Sequence, residues 1–317
     1  MVSGTITPSP SFNAETAAEK LRKAMKGMGT DEKTIIDVLT NCSNAQRQEI
    51  KLQFKTMFGK DLISDLKSEL RGNLEDITLA LMERTDVFDA KELKDAMKGA
   101  GTDESVLIEI LCSRTPEEIA QIKKTYKEKC KSNLEKDVMS ETSGHFRRLL
   151  VSLLQANRDT GTAVDADLAR KEASDLYEAG VAHWGTDESV FNKVMASRNY
   201  AQLRATFQAY KELAGHDMIK AIEKEMSGDV ESGFKAIVKV VMDTPGYFAE
   251  RLQKSMKGAG TKDSQLIRVL VSRSEIDLAD VKEAFARDYK KPLAQWIKGD
   301  TSGDYKKMCL AIIKESA

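Results

Sequence analysis

A glycine-threonine loop followed by acidic residues occurs four times in this chain of 317 residues. The copies are MKGMGTDE at residues 25–32, MKGAGTDE at 97–104, HWGTDE at 183–188 and MKGAGTKD at 256–263. An acid stands 40 residues after the last glycine of every copy, at Glu69, Glu141, Glu225 and Asp300. Three residues past each acid comes a glycine, at Gly72, Gly144, Gly228 and Gly303. A glycine loop and a distant carboxylate therefore recur as a pair.

This pair of features is suited to holding a hard metal ion. Glycines allow positive φ angles, which let a loop turn several backbone carbonyls toward one point. Carbonyl oxygens and a bidentate carboxylate suit Ca²⁺ far better than Zn²⁺. Three carbonyls and one carboxylate supply only about five of the six to eight oxygens that Ca²⁺ takes, so positions remain for water or a ligand. The alternative is a loop that only starts a helix, with the threonine as N-cap and the acids in the first turn.

The elements that position these residues are predicted to be helices. The last glycines of the loops lie 72, 84 and 75 residues apart, and shifting the copies by these intervals aligns further positions. One aligned column is aromatic and contains Phe54, Tyr126, Tyr210 and Phe285. A second column is apolar and contains Leu39, Leu111, Met195 and Leu270. Apolar residues recur at helical spacing inside each copy, which predicts an all-α fold of four homologous repeats, each of about 70 residues and five helices.

Composition and turn-rich segments set the expected boundaries. A flexible tail is predicted at residues 1–12, followed by repeat 1 (13–85), repeat 2 (86–157), a linker (158–168), repeat 3 (169–244) and repeat 4 (245–317). The polar linker is expected to divide the molecule into two halves. Forty-nine basic and 50 acidic residues nearly balance, which argues against nonspecific binding of nucleic acid. The start of the chain does not resemble a signal peptide, the four cysteines lack metal-ligand spacing, and the apolar runs are too short to span a bilayer, so a reduced, cytoplasmic protein is expected.

The KGxGTDE loops, each with an acid 40 residues on, in four helical repeats, resemble the annexins over residues 13–317. The resemblance implies four repeats arranged in a curved disc, and calcium ions that bridge the protein to an anionic phospholipid membrane of the phosphatidylserine type. It implies peripheral attachment when calcium is present and calcium-promoted trimers or hexamers. By the resemblance, the calcium ligands are the carbonyls of the loops together with the distant acids: Met25, Gly27, Gly29, Glu69; Met97, Gly99, Gly101, Glu141; Gly180, His183, Gly185, Glu225; Met256, Gly258, Gly260, Asp300. The third set departs from the pattern, because AGVAHWGT lacks the Met-Lys-Gly start.

The resemblance assigns three further groups of residues. Accessory calcium sites would use Thr30 with Glu32, Thr102 with Glu104, Thr186 with Glu188, and Thr261 with Asp263, unless these acids only complement the helix dipole. Membrane contacts would come from Trp184, Lys26, Lys98 and Lys257, although a packed tryptophan and solvated lysines are the alternatives. A central polar pore, with ion conduction as a secondary activity, would be lined by Asp89, Glu92, Glu109, Arg114 and Arg268. A structural ion-pair network is the alternative for these five charges, and the one we favour.

Two other classes of function remain open. A helical-repeat scaffold that binds proteins would explain the repeats but not the four loop-acid pairs. An enzyme acting on phosphorylated substrates would need a strand, then GxxxxGK[ST], then a helix, and the chain has no such motif. The EF-hand motif D-x-[DN]-x-[DN]-G is also absent. The sequence therefore favours calcium-dependent membrane binding without enzymatic activity.

Overall fold

The computed structural model describes residues 3–27, 29–181 and 187–316, with no side-chain description at 181, and these residues form α-helices and connecting loops without a strand. Repeat 1 contains α1 (Ala14–Ala24), α2 (Glu32–Thr40), α3 (Asn44–Phe58), α4 (Leu62–Glu69) and α5 (Gly72–Met82). Repeat 2 contains α6 (Thr85–Ala96), α7 (Glu104–Ser113), α8 (Pro116–Cys130), α9 (Leu134–Glu141) and α10 (Gly144–Leu154). Repeat 3 contains α11 (Ala166–Val181), α12 (Glu188–Ser197), α13 (Tyr200–Ala214), α14 (Met218–Glu225) and the first part of α15 (Gly228–Met256). Repeat 4 contains the rest of α15, then α16 (Asp263–Arg273), α17 (Leu278–Tyr289), α18 (Leu293–Asp300) and α19 (Gly303–Ile312).

The long helix α15 is two helical segments joined at Asp243, whose φ of −155° and ψ of 83° are not helical. The break gives repeats 3 and 4 five helices each, so the predicted all-α fold of four five-helix repeats is confirmed. Both aligned columns lie in the core, where each member of the aromatic and apolar columns is at most 2% exposed. No helix in the described part of the chain is both long enough and apolar enough to cross a membrane.

The chain forms two compact units, one of residues 1–85 and 245–317 and one of residues 86–244. The first unit therefore combines repeats 1 and 4, and the second combines repeats 2 and 3. The expectation that the linker at 158–168 separates two halves is wrong, because this segment lies inside the second unit. The Gln202 side chain bonds both the N–H and the C=O of Asp165, at 2.7 and 3.0 Å, and the Asp159 N–H donates to the Ser197 carbonyl.

The segment before α1, which the sequence predicts as a flexible tail, is bonded to the first unit at several points. The N–H groups of Thr5 and Ile6 donate to the Ser274 carbonyl at 2.7 and 2.9 Å, and the Ile6 side chain is 2% exposed. Further along, the Gln46 side chain bonds both the N–H and the C=O of Ser9, each at 3.0 Å. Residues 5, 6 and 9 are held by these contacts.

The second helix of each repeat begins one residue later than the sequence predicts. The N-caps of α2, α7 and α12 are Asp31, Asp103 and Asp187, whose side chains accept hydrogen bonds from nearby backbone N–H groups. The predicted threonine N-cap is therefore wrong for these three helices. The aspartate that follows takes the role because its carboxylate accepts from a backbone N–H of the first turn.

Helix α16 lacks this cap, and we expect the Lys262→Asp variant to stabilise the protein. Lys262 has φ −82° and ψ 79°, close to the −88° and 86° of Asp103, but makes no side-chain capping bond. An aspartate there should accept from Ser264 as Asp103 accepts from Ser105, raising the free energy of unfolding by about 1 kcal/mol. Thermal unfolding of Lys262→Asp beside Lys262→Ala tests this. Equal stability of the two variants would show that any gain in the free energy of unfolding comes from removal of the lysine and not from the new cap.

Candidate metal sites

The four loops connect the first helix of each repeat to the second, and each is closed by a backbone hydrogen bond. The residue after the loop threonine donates to the carbonyl of a residue in the preceding helix: Asp31 to Ala24 at 2.9 Å, Asp103 to Ala96 at 2.9 Å, Asp187 to Ala179 at 3.1 Å and Lys262 to Ser255 at 2.8 Å. Seven positions separate donor and acceptor in repeats 1, 2 and 4, but eight in repeat 3. The third loop is thus one residue longer than the others.

The glycines of the three regular loops have positive φ angles. The values are 121° and 88° at Gly27 and Gly29, 100° and 96° at Gly99 and Gly101, and 117° and 88° at Gly258 and Gly260. No atom lies within 4 Å of the place where a β-carbon would stand on any of the six, so these positions require glycine for its backbone conformation and not for space. Two such residues separated by one position let the loop direct alternate carbonyls to the same side.

Each distant acid is the last residue of the fourth helix of its repeat, at the ends of α4, α9, α14 and α18. A negative charge is unfavourable there by about 0.3–1 kcal/mol, because the helix dipole is also negative at its C-terminus. The acids therefore do not serve helix stability. A cation beside them would offset both the carboxylate charge and the dipole.

The loop threonines join the loops to the acids. The Thr30 hydroxyl donates to Oε2 of Glu69 at 2.8 Å. The hydroxyls of Thr102 and Thr261 donate instead to the backbone carbonyls of the corresponding acids, Glu141 at 3.4 Å and Asp300 at 2.9 Å. The structure thus brings loop and acid together in all three regular repeats, although 39 residues separate each hydroxyl from its acceptor residue.

Repeat 3 is described only in part, because His183, Trp184, Gly185 and Thr186 lie outside the described residues. A β-carbon placed on Gly180 would stand 3.4 Å from Cγ of Glu225, so this loop also begins beside its acid. The accessory acid Glu188 begins α12, and its Oε2 lies 3.3 Å from Nδ1 of His145, a neighbour that the sequence does not indicate.

The remaining loop residues divide between core and solvent. The side chains of Met25, Met97 and Met256 are at most 8% exposed, and those of Lys26, Lys98 and Lys257 are exposed. The accessory acids Glu32, Glu104 and Asp263 are the first residues of α2, α7 and α16, so their charges also lie where the helix dipole favours them.

The donor chemistry of these loops fits calcium. Within the described residues, no three His, Cys, Asp or Glu side chains come together as a metal cluster, which leaves one carboxylate and a set of carbonyls at each of the three regular loops. Oxygen donors of this kind suit a hard cation with a flexible shell. One carboxylate also leaves half of the ion's double charge unbalanced, so an anionic ligand is favoured in the open positions.

The charges assigned to a pore belong to both units. In the second unit, Arg114 binds Asp89 through two hydrogen bonds, Nε to Oδ2 at 2.7 Å and Nη2 to Oδ1 at 2.9 Å, and Glu109 is fully buried. Burial alone would lower the pKa of Arg114, but the charge and hydrogen bonds of Asp89 outweigh it and raise the pKa. Arg268, in the first unit, is 2% exposed. The Asp89–Arg114 contact is a buried ion pair.

Comparison with known proteins gives four matches to one family model, Annexin, at residues 16–81, 88–153, 171–237 and 247–312. Human annexin A7 is 53% identical over 310 residues, which are 98% of this chain and 64% of that protein. The solved structure of annexin III superposes with a TM-score of 0.97 at 43% identity, covering 99% of this chain and 98% of that one. The structure of calcium-bound annexin (Sm)1 superposes with a TM-score of 0.91 at 35% identity, covering 100% of this chain and 94% of that one. The chain thus spans less than two thirds of the length of human annexin A7.

Proposed function

Because the chain belongs to the annexin family, we propose that it attaches to anionic phospholipid membranes through calcium ions. Each ion would be held by the carbonyls of one glycine loop and by the carboxylate 40 residues further on, and phosphate oxygens of the lipid would fill the open positions. The observation that carries this proposal is the pair of positive-φ glycines in each regular loop, with a threonine hydroxyl joining the loop to the acid. The calcium-bound form of annexin (Sm)1 supports calcium as the cation.

Different residues of each repeat would bind the ion and hold the loop in place. In repeat 1 the carbonyls of Met25, Gly27 and Gly29 would face the ion, with the carboxylate of Glu69 opposite them. The buried Met25 side chain would fix one end of the loop, and the Thr30 hydroxyl would hold Glu69 at the other. Repeats 2 and 4 would use the same ligands, with the threonine hydroxyl bonded to the backbone carbonyl of the acid instead of its carboxylate. The longer third loop would use Gly180 and Glu225 with residues that are not described.

The near-zero net charge of the protein indicates how it would be attracted to an anionic membrane. With 49 basic and 50 acidic residues the protein has almost no net attraction to an anionic surface, so the bound cations would supply it. Lys26, Lys98 and Lys257 are exposed in the loops and would bind lipid phosphates, and Trp184 would enter the interface. We propose phosphatidylserine-type lipids as partners, calcium-promoted trimers or hexamers on the membrane, peripheral attachment from the cytoplasm, and no enzymatic activity.

Calcium affinity and lipid binding should be linked, and this linkage tests the proposal. Without lipid we expect a calcium Kd of ~10⁻⁴ to 10⁻³ M, because each site has one charged ligand and open positions. Anionic vesicles should tighten it, since a lipid that completes the shell binds the calcium-loaded state better. Titration calorimetry with and without phosphatidylserine vesicles measures both values. Submicromolar binding without vesicles would show that the protein completes the shell alone.

A further inference from the structure

A cavity of about 740 Å³ lies between α1 and α2, bounded on one side by the segment that precedes α1. Ala17 of α1 and Cys42, just after α2, form part of its floor. The proposed calcium ligands of repeat 1 do not line it. The volume lies in the range of about 300–1,000 Å³ that small-molecule sites occupy.

The internal repeats explain why this space is open. Ala17 lies seven residues before the carbonyl that closes its loop, and the residues at the same place in repeats 2, 3 and 4 are Asp89, Glu172 and Phe248. Cys42 lies eleven residues after the donor that closes the loop, and its equivalents are Arg114, Arg198 and Arg273. At both places, repeat 1 thus has a smaller side chain than any of the other repeats.

In the other three repeats, these large side chains bind each other across the groove between the first and second helices. The Nε atom of Arg114 lies 2.7 Å from Oδ2 of Asp89, and that of Arg198 lies 2.8 Å from Oε1 of Glu172. In repeat 4 the guanidinium carbon of Arg273 lies 4.3 Å from the ring centroid of Phe248. Alanine and cysteine are too short to make such a contact, so repeat 1 lacks the pair that spans this groove in the other repeats and has an open slot there, within the cavity.

Charged side chains of both signs line this cavity. Lys20 and Lys23 of α1 and Asp37 of α2 line the cavity, are exposed, and make no ion pair or side-chain hydrogen bond with the described residues. Asp31 also lines the cavity, but its two carboxylate oxygens accept from the N–H and the hydroxyl of Thr34. Burial raises the pKa of the Cys42 thiol, so the thiol stays uncharged at neutral pH.

We propose that this cavity binds a small zwitterion of dipeptide size, with its carboxylate at Lys20 and Lys23, its ammonium group at Asp37 and its body over Ala17 and Cys42. Such a ligand supplies one group of each sign, as the acid and the arginine do in repeats 2 and 3. The proposed calcium ligands do not line this site, and its occupation does not depend on the membrane proposal.

Three probes with one backbone test the charge requirement. Glycylglycine carries both charges, N-acetylglycylglycine lacks the ammonium group, and glycylglycinamide lacks the carboxylate. Saturation-transfer NMR with the whole chain should show glycylglycine binding with a Kd of ~1–10 mM and the other two at least about tenfold more weakly. No transfer to glycylglycine at ~10 mM, or equal transfer to all three probes, would overturn the proposal.

Variants of the lining residues test whether the ligand binds in this cavity. The double variant Ala17→Asp/Cys42→Arg should fill the slot with the pair found in repeat 2 and abolish glycylglycine binding, while calcium-dependent vesicle binding stays unchanged. If that variant fails to fold, the Lys20→Ala and Asp37→Ala variants test the site instead. Both residues are exposed, and we expect each change to weaken glycylglycine binding about tenfold. Lys60→Ala, another exposed lysine of repeat 1, serves as the control and should bind as the wild type does. Unchanged binding in the filled or the charge variants would place the probe elsewhere.

Discussion

The variant with Glu69, Glu141, Glu225 and Asp300 all changed to Ala should lose vesicle binding at calcium concentrations up to ~1 mM, because each site then loses its only charged ligand. Two of about five protein oxygens disappear from each shell, and carbonyls alone do not balance a divalent charge. The fold should persist, since all four acids end helices where a negative charge is unfavourable. Sedimentation with phosphatidylserine vesicles measures binding, and circular dichroism monitors the helices.

A matched control removes the same number of charges away from the loops. Glu49, Glu128, Glu212 and Glu283 are exposed and lie one in the third helix of each repeat, α3, α8, α13 and α17. Their replacement by Ala changes the net charge equally, so it separates loss of ligands from general electrostatics. If the loop-acid variant still sediments with vesicles in calcium, or if both variants lose binding alike, the carboxylates are not the calcium ligands.

Replacing Gly27, Gly99 and Gly258 together by Ala should raise the calcium concentration needed for half-maximal vesicle binding by at least about tenfold. Their φ angles of 100–121° disfavour any residue with a β-carbon, at about 1–3 kcal/mol each, so the loops will relax and their carbonyls will turn away. The effect arises from the backbone alone, because no atom stands within 4 Å of the added β-carbons. Binding should be weakened and not abolished, since the third loop is untouched.

Gly299 provides the control for this prediction. It lies within α18, next to the acid Asp300, and has equally open space around its β-carbon position. Gly299→Ala should leave calcium-dependent vesicle binding unchanged and should raise helix stability by about 0.5–1 kcal/mol. Equal calcium requirements in the triple loop variant and the wild type would show that positive φ at these glycines is not needed for the site.

The helical repeats could be predicted from the sequence because their signals are local and occur four times. Periodic apolar residues and a repeated loop need no knowledge of long-range contacts. Shifting one copy onto the next aligns Phe54 with its three equivalents, and all four aromatic side chains lie in the core. The metal ligands remain a prediction, supported by glycine conformations that only the structure provides.

The features that could not be predicted depend on contacts between distant segments or on a choice between neighbours. Thr30 and Asp31 are both good N-caps, and the pattern of the sequence does not tell which of the two begins α2. The hydroxyl of Thr30 instead meets Glu69 because α4 packs beside the loop. Likewise, the polar linker looks the same in sequence whether it is solvated or bound by Gln202, as it is in the structure.

The cavity in repeat 1 is another feature that could not be predicted from the sequence. Nothing in the sequence around Ala17 and Cys42 indicates a cavity. The two residues become informative only once the structure shows that Asp89 and Arg114, at the equivalent positions of repeat 2, bind each other. Shifts of 72, 84 and 75 residues place the three arginines opposite Cys42, but Glu172 comes opposite Ala17 only after the longer third loop is allowed for. The contact between these two positions is visible only in the packed helices. Comparison of the repeats therefore shows that repeat 1 lacks this pair, but only after the structure has identified the pair in another repeat.

Sedimentation of the unmodified chain with phosphatidylserine vesicles, first in ~1 mM calcium and then after addition of a chelator, tests the calcium bridge most directly. We expect the protein to pellet with the vesicles in calcium and to return fully to the supernatant when calcium is removed, because the near-neutral protein has no other strong attraction to the lipid. Vesicles of phosphatidylcholine alone should retain little protein under either condition. Protein that pellets equally with chelator present, or that stays in the supernatant at ~1 mM calcium, would contradict calcium bridging.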